Sequence, residues 1–292
     1  MALTAGCGGA AASGDAADDD ERTDRPQVVV TTAILGDIVT DAVGAVADVE
    51  VVMPAGADPH DFALSARQAE AMERADLVVT NGRGLEAAMA DVIDSVSTGT
   101  EVFVAGEHVP ASDDPHIWMD PTNVIGIVVA LEAELAPLVH DEDALSVAVE
   151  MYVAELEVLD ADIGRILEAV PDDRRVMVTN HDSFGAFANR YGLLIVGTVI
   201  PSTTTSAEPS AAGLEALAAA VRDAGVHAVF AESTQPTRLA DALANEVGEI
   251  DGRPVVVVEL YSGGIGEPGS GADSYLSMLR LDAELIAGAL RP

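Results

Sequence analysis

One long segment, residues 141–170, constrains the fold of this chain more than any other feature. Its apolar residues recur at alternating spacings of four and three over about four heptads, which is typical of one continuous helix with an apolar seam. At about 1.5 Å per residue such a helix extends roughly 45 Å, longer than one small domain. Two arrangements fit: a coiled-coil dimer, or an internal helix packed along both halves of one molecule. The seam consists of Leu145, Val149, Tyr152, Leu156, Leu159, Ile163, Ile166 and Val170.

Strands and helices alternate on both sides of this segment, which predicts an α/β fold with parallel sheets. Because the alternation resumes directly after the long segment, we prefer the internal helix over the coiled-coil dimer. The chain then consists of one α/β unit, a long helix and a second α/β unit. The predicted strands are 27–32, 49–53, 77–80 and 101–105 in the first unit, and 175–179, 193–199, 228–231 and 254–259 in the second.

The charge of the chain limits its partners. The sequence has 14 arginines, no lysine and 50 acidic residues, so its formal net charge is −36. Such a surface repels nucleic acid and anionic lipid headgroups and attracts cations. We therefore expect no nucleic-acid partner.

The single cysteine excludes an intrachain disulfide and lies near the start of the chain. Small residues precede Cys7, as in a bacterial lipoprotein processing site, although Thr4 stands where such sites usually have leucine and Leu3 is one residue further out. We interpret residues 1–26 as a lipoprotein-like tail and acidic linker, with the printed start inside the signal peptide. Membrane anchoring through Cys7 and an extracytoplasmic location follow. The alternative is an unstructured tail with an incidental cysteine.

The segment 114–121, Asp-Pro-His-Ile-Trp-Met-Asp-Pro, contains Trp118, the single tryptophan, and His116, one of six histidines. Pro115 and Pro121 rule out an uninterrupted helix, so the segment is predicted to be a loop. An imidazole fixed in such a loop can present one nitrogen to a metal while a carboxylate holds the other. A buried structural histidine beside a tryptophan is the alternative for this segment alone.

Three histidines, His60, His116 and His181, share one setting, since each follows a predicted strand and has a carboxylate nearby. Ligands of open α/β sheets bind beyond the carboxyl ends of the strands, so the three are expected to meet in the cleft between the two units. Three neutral imidazoles suit Zn²⁺, with the carboxylates orienting them. The spacing fits neither a helical pair nor a zinc finger. The neighbouring carboxylates are Asp58, Asp61, Asp114, Asp120 and Asp182.

Several segments, taken in order, resemble the metal-binding solute-binding proteins of bacterial ABC transporters, the zinc- and manganese-specific proteins with two α/β lobes joined by one long helix. The resemblance covers residue 27 to the C-terminus, and its histidine-containing segments are specific. The matching segments are 56–62, 81–86, 114–121, 180–185 and 208–210.

The resemblance implies that His60, His116 and His181 are metal ligands in a cleft between the lobes. Zinc members commonly have histidine at the third position, where manganese and iron members have a carboxylate, so Zn²⁺ is expected ahead of Mn²⁺ or Fe²⁺. The implied function is extracytoplasmic capture of the metal for an ABC transporter permease, by a monomer that is not an enzyme. The implied division is a tail at 1–26, lobes at 27–140 and 171–292, and a linking helix at 141–170.

The chain departs from the family at the fourth ligand, because Gly263 stands where members often have an acid. We expect water to fill this position, ahead of Glu267 from the same glycine-rich loop; Glu232 and Glu259 are further alternatives. The remaining histidines lack a motif. We interpret His108 as an exposed loop residue, and His140 and His227 as structural.

Two other functions are compatible with three histidines on this fold. A zinc hydrolase also uses three histidines and a water, but the sequence has no HExxH helix and no motif that places a general base. A surface adhesin of the same fold is the other alternative.

Overall fold

The computed structural model describes residues 25–252 and 254–291, so Cys7 and most of the predicted tail lie outside the described residues. The first lobe is built on a four-stranded parallel sheet with the order β2-β1-β3-β4. Val and Leu fill the two central strands, as expected where helices cover both faces of a parallel sheet. The strands are β1 Gln27–Val30, β2 Asp48–Val51, β3 Leu77–Thr80 and β4 Val102–Val104.

Three helices of the first lobe, α1, α2 and α4, begin at a residue whose side chain caps the helix. Ser65 and Gln68 form a capping box at the start of α2, and Pro121 occupies the first turn of α4 behind the cap residue Asp120. The helices are α1 Ala33–Val43, α2 Ala66–Arg74, α3 Ala90–Val96 and α4 Pro121–Leu135.

The sequence pattern from Leu85 to Val96 predicts one continuous helix, and this prediction is wrong in its first part. The chain forms a short 3₁₀ turn at Ala87–Met89 before α3 begins. The cause is a local contact. The carboxylate of Glu86 accepts hydrogen bonds from the backbone N–H groups of Asn81 and Gly82, which holds residues 81–86 in a tight turn.

The second lobe repeats the topology of the first, with the parallel order β6-β5-β7-β8. The strands are β5 Val176–Thr179, β6 Leu194–Thr198, β7 Ala228–Glu232 and β8 Val256–Leu260. The other helices are α5 Glu142–Glu168, α6 Gly185–Tyr191, α7 Ala211–Asp223, α8 Arg238–Asp251 and α9 Tyr275–Leu290.

The long helix α5 has 27 residues, a length of about 40 Å, and its apolar seam is buried inside one chain. It packs against α1, α4, α6 and α9, which belong to both lobes. This is the internal arrangement that we preferred over the coiled-coil dimer. At the end of the seam Leu167 is fully buried while Ile166 is half-buried, because a straight helix of 3.6 residues per turn drifts away from a strict heptad repeat.

One hydrophobic cluster extends through both lobes. It contains Leu77 and Trp118 from the first lobe, Phe187 and Phe230 from the second, and Tyr275 from the last helix. Shared burial of this kind resists relative movement of the lobes. None of the helices in the part of the chain that the structure describes is long and apolar enough to cross a membrane.

Candidate metal centre

The three predicted histidines meet between the lobes. His60, His116 and His181 are all buried, and each offers a ring nitrogen such that the three nitrogens lie within 4.8 Å of one another. The Nε2 atoms of His116 and His181 are 3.2 Å apart. Three imidazole nitrogens converging on one point form the donor set that Zn²⁺ takes from proteins.

His60 is held by its own loop and, through that loop, by the other lobe. The loop follows β2, and the backbone N–H of His60 donates to Asp58 Oδ1 over 2.9 Å. The second oxygen of Asp58 accepts hydrogen bonds from Thr205 Oγ1 at 2.7 Å and from Gln235 Nε2 at 2.6 Å, both in the second lobe. The first histidine therefore sits on a loop that bridges the cleft.

His116 is oriented by a carboxylate two residues earlier. Asp114 Oδ1 lies 2.9 Å from the backbone nitrogen of His116 and 2.8 Å from its Nδ1. With Nδ1 engaged, Nε2 is the nitrogen left to face the other histidines. Trp118 packs edge-on against the imidazole at 5.4 Å and donates from Nε1 to the carbonyl of Ser262 in the second lobe.

His181 follows β5, and its partner stands at the end of the adjacent strand β7. The Nδ1 atom of His181 is 2.8 Å from Glu232 Oε2, and both side chains are almost fully buried. Strands β5 and β7 are the two central strands of their sheet, where the strand order reverses, and this is the usual position of a ligand crevice. Glu232, one of the alternatives for the fourth ligand, therefore contacts the Nδ1 side of His181 and orients its ring.

The surroundings of the histidines shift their protonation. Burial, reinforced by His116, lowers the pKa of His60 to about 4, so this imidazole is neutral at pH 7 and free to bind a metal. Burial also disfavours charge on His181 and Glu232, but their mutual contact outweighs it, raising the pKa of His181 and lowering that of Glu232. The ionised carboxylate of Glu232 therefore lies directly behind the site.

The fourth ligand position is the point at which the sequence departs from the family it resembles, because Gly263 stands where an acid is often found. Gly263 is buried, and a Cβ atom built on it would collide with Glu232 Oε1 and lie 3.1 Å from Thr234 Oγ1. Glu267 and Glu259 are exposed and do not belong to the group of converging donors. Water as the fourth ligand stays a prediction.

The other histidines lie apart from the site. His108 is exposed and its ring stacks on Phe103, with 4.5 Å between the ring centroids. His140 is exposed and His227 is half-buried, and neither belongs to the converging group.

Sequence reasoning missed two residues that hold the site, Thr205 and Gln235. The one available signal was the density of Ser and Thr in the loop 201–209, and that signal does not reveal which hydroxyl reaches across the cleft.

The chain is similar to known proteins over nearly all of its described length. A family model described as the periplasmic zinc-uptake complex component A, ZnuA, matches residues 28–289. The zinc-binding protein TroA of Treponema pallidum is 30% identical over 277 residues, covering 91% of this chain and 89% of TroA. The manganese-binding lipoprotein MntA of Bacillus subtilis is 27% identical over 276 residues, covering 91% of this chain and 90% of MntA.

The solved structures agree in fold. The structure of the periplasmic zinc-binding protein TroA from Treponema pallidum superposes with a TM-score of 0.85 at 29% identity, covering 92% of this chain and 100% of that one. A crystal structure of ZnuA gives a TM-score of 0.78 at 24% identity, covering 91% of this chain and 99% of that one, and supports the fold alone.

Proposed function

This chain belongs to the family of periplasmic zinc-uptake component A proteins, the metal-binding components of bacterial ABC transporters, and from that premise we propose that it captures Zn²⁺ outside the cytoplasm and delivers it to a membrane permease. The observation that carries the proposal is the convergence of three buried imidazoles in the cleft between the lobes. The metal is cargo, bound and released without chemical change.

We assign the metal-binding role to His60, His116 and His181. The first two come from one lobe and the third from the other, so a bound ion holds the two lobes together. Asp114 and Glu232 contact the Nδ1 atoms of His116 and His181, which directs both Nε2 atoms toward the ion.

The choice of Zn²⁺ over Mn²⁺ rests on the donor atoms. Relatives include a zinc-binding protein and manganese-binding lipoproteins, so family membership alone is compatible with either ion. A site made of three nitrogens favours Zn²⁺, whereas the harder Mn²⁺ prefers oxygen ligands. The acid that would add such oxygens is replaced by Gly263.

Capture also depends on how cations are attracted to the protein and on where the protein is located. The formal net charge of −36 raises the local concentration of cations around the protein. We further propose that a lipid on Cys7 tethers the protein to the membrane beside its permease, which acts as the acceptor of the ion.

Competition titration tests the proposal. Chelator-treated protein should bind Zn²⁺ more tightly than Mn²⁺ in isothermal titration, and His60→Ala, His116→Ala or His181→Ala should each weaken zinc binding at least about tenfold. His108→Ala and His140→Ala are the matched controls and should change the affinity far less. Equal losses in both sets would refute the assignment, and tighter binding of Mn²⁺ would refute the choice of ion.

A further inference from the structure

Arg83 has a backbone conformation that an L-amino acid adopts only with support. Its φ is 55°, and it is the one non-glycine residue with positive φ in the described part of the chain. It stands in the turn 81–84, between Gly82 and Gly84, which also have positive φ. Left-handed backbone costs conformational energy in any residue that has a Cβ atom, so contacts of the side chain must stabilise it here.

The guanidinium of Arg83 supplies those contacts, because it donates to four backbone carbonyl oxygens. Nε reaches Gly106 at 3.1 Å and Nη1 reaches Asp114 at 3.3 Å. Nη2 reaches Val109 at 3.4 Å and Pro110 at 2.8 Å. All four carbonyls belong to the loop that leads from β4 to His116.

The turn that presents Arg83 is itself anchored to the same loop. Asn81 is fully buried. Its side-chain Nδ2 donates to the backbone carbonyl of Pro115 at 2.9 Å, and its backbone carbonyl accepts the N–H of Gly106 at 2.9 Å. A Cβ atom on Gly106 would lie 2.8 Å from that carbonyl and 3.1 Å from Arg83 Cγ. The glycine at position 106 therefore permits the close approach of the turn and the loop.

We propose that Arg83 is a positioning residue for His116, the second metal ligand. Arg83 fixes the backbone of Asp114, and the Asp114 carboxylate in turn fixes both the backbone and the ring of His116. Only arginine has a planar fork of five N–H donors that can serve four acceptors at once. The effect on metal affinity rests on the proposed function, whereas the clamp on the loop 106–116 does not.

Arg83→Gly separates positioning from folding. Glycine adopts positive φ without strain, so relief of that strain offsets part of the loss of the four hydrogen bonds and the variant should still fold cooperatively. Its zinc affinity should fall at least about tenfold. Arg83→Lys keeps the positive charge but lacks the fork, and it should lose affinity nearly as strongly; full affinity in this variant would show that charge alone is needed and would overturn the proposal.

A double-mutant cycle tests whether Arg83 acts through His116. In a His116→Ala background, Arg83→Gly should change zinc affinity less than about twofold, because the group that Arg83 positions is absent. A loss of equal size in both backgrounds would overturn the proposal. Gly106→Ala is an independent perturbation of the same contact and should weaken zinc binding in the same way.

Hydrogen exchange of the metal-free protein tests, without any ion, whether Arg83 holds the loop 106–116 in place. Arg83→Gly should increase exchange in residues 106–116 and leave residues 57–62, which contain His60, unchanged. If the unmodified protein failed to bind Zn²⁺, the proposed function would fall while exchange still tested the clamp. Unchanged exchange in 106–116 would overturn the clamp even if zinc binding were normal.

Discussion

The carboxylate of Asp58 lies 2.7 Å from the hydroxyl of Thr205, although the two residues belong to different lobes. Gln235 donates to the same oxygen, and a third hydrogen bond runs from Ser206 Oγ to Asp61 Oδ1 at 3.0 Å. The loop that carries His60 is therefore tied to the second lobe by hydrogen bonds that need no metal. Opening the cleft to release an ion must break them.

We expect these bonds to slow metal release. Thr205→Val keeps the shape of the side chain but removes the donor to a charged carboxylate, a change that costs about 1.5 to 3 kcal/mol. Zinc should then dissociate about tenfold faster, measured by stopped-flow transfer to a chromogenic chelator. Thr203→Val, on the same loop, is the control and should release zinc at the original rate. An unchanged rate in the Thr205 variant would show that the hydrogen bond between Thr205 and Asp58 does not limit release.

A carboxylate at position 263 should shift the metal preference. Gly263→Asp places an oxygen donor beside the site after Glu232 has moved aside, so Mn²⁺ affinity should rise about tenfold or more and Zn²⁺ affinity less. Gly263→Asn has nearly the same shape without the charge and is the matched control. Competition titration of the two ions measures the shift, and equal gains for both ions would contradict the argument.

Glu267 should contribute little to binding, because its side chain is exposed and water is the expected fourth ligand. Zinc affinity of Glu267→Ala should stay within about twofold of the unmodified protein in the same titration. A clear loss, at constant melting temperature, would instead identify Glu267 as a ligand that moves inward when the metal binds.

The sequence predicted the convergence of the histidines because a simple rule applies to them. His60, His116 and His181 each follow a strand of a parallel sheet, and the carboxyl ends of such strands face one crevice. The eight strands were predicted within a few residues because a short run of β-branched residues between two helices is typical of a strand in a parallel sheet.

The supports of the site could not be predicted in this way. The hydrogen bonds from Thr205 to Asp58 and from Arg83 to Gly106 join residues 147 and 23 positions apart, and many other hydroxyls and arginines have the same local sequence character. Their partners depend on tertiary packing. The 3₁₀ turn at Ala87–Met89 was missed because the Glu86 carboxylate overrides a helical pattern through a local contact.

Asp37 on α1 occupies an unfavourable position for a negative charge. Burial raises its pKa to about 6, with further contributions from Asp41 and Asp273, although its carboxylate accepts the N–H of Tyr275. The hydroxyl of Tyr152 on α5 is close enough to interact with Asp37 and Asp41. The folded state therefore holds a proton on Asp37 that the unfolded chain, with an ordinary aspartate pKa near 3.8, has already released at pH 5.

The sign of the resulting pH dependence is fixed. The folded pKa is raised, so Asp37 weakens the fold progressively as pH rises from about 4 to about 6, and the loss is complete above that range. Asp37→Asn still accepts the N–H of Tyr275 and should raise the free energy of unfolding at pH 7 by about 1 to 2 kcal/mol, allowing for partial exposure. Urea unfolding of metal-free protein at pH 5 and pH 7 measures this. Asp94→Asn, at an exposed position of α3, is the control, and equal effects of the two substitutions would contradict the prediction.

Tethering through Cys7 makes a separate prediction about the gene product expressed with its complete leader in its host. The protein should partition into the detergent phase, and Cys7→Ala should move it to the aqueous phase, because one lipidated cysteine provides the membrane affinity. Zinc binding by the soluble variant should be unchanged, since residues 1–24 lie outside the described site. Equal partitioning of the two forms would refute the anchor.

The acidic surface should make salt act in opposite directions on stability and on zinc capture. With a formal net charge of −36, the carboxylates repel one another in the compact state, and raising the ionic strength from 0.1 M to 1 M shortens the screening length from about 10 Å to about 3 Å. The melting temperature of the metal-free protein should therefore rise by several degrees with sodium chloride. The association rate of Zn²⁺ should fall over the same range, because the field that attracts the cation is screened as well. Sucrose at matched osmolality is the control, because it favours the compact state by exclusion and leaves the field intact. It should raise the melting temperature without a comparable slowing of zinc association once the rate is corrected for the viscosity of the solution. A melting temperature that sodium chloride leaves unchanged would show that surface repulsion does not limit the stability of this fold.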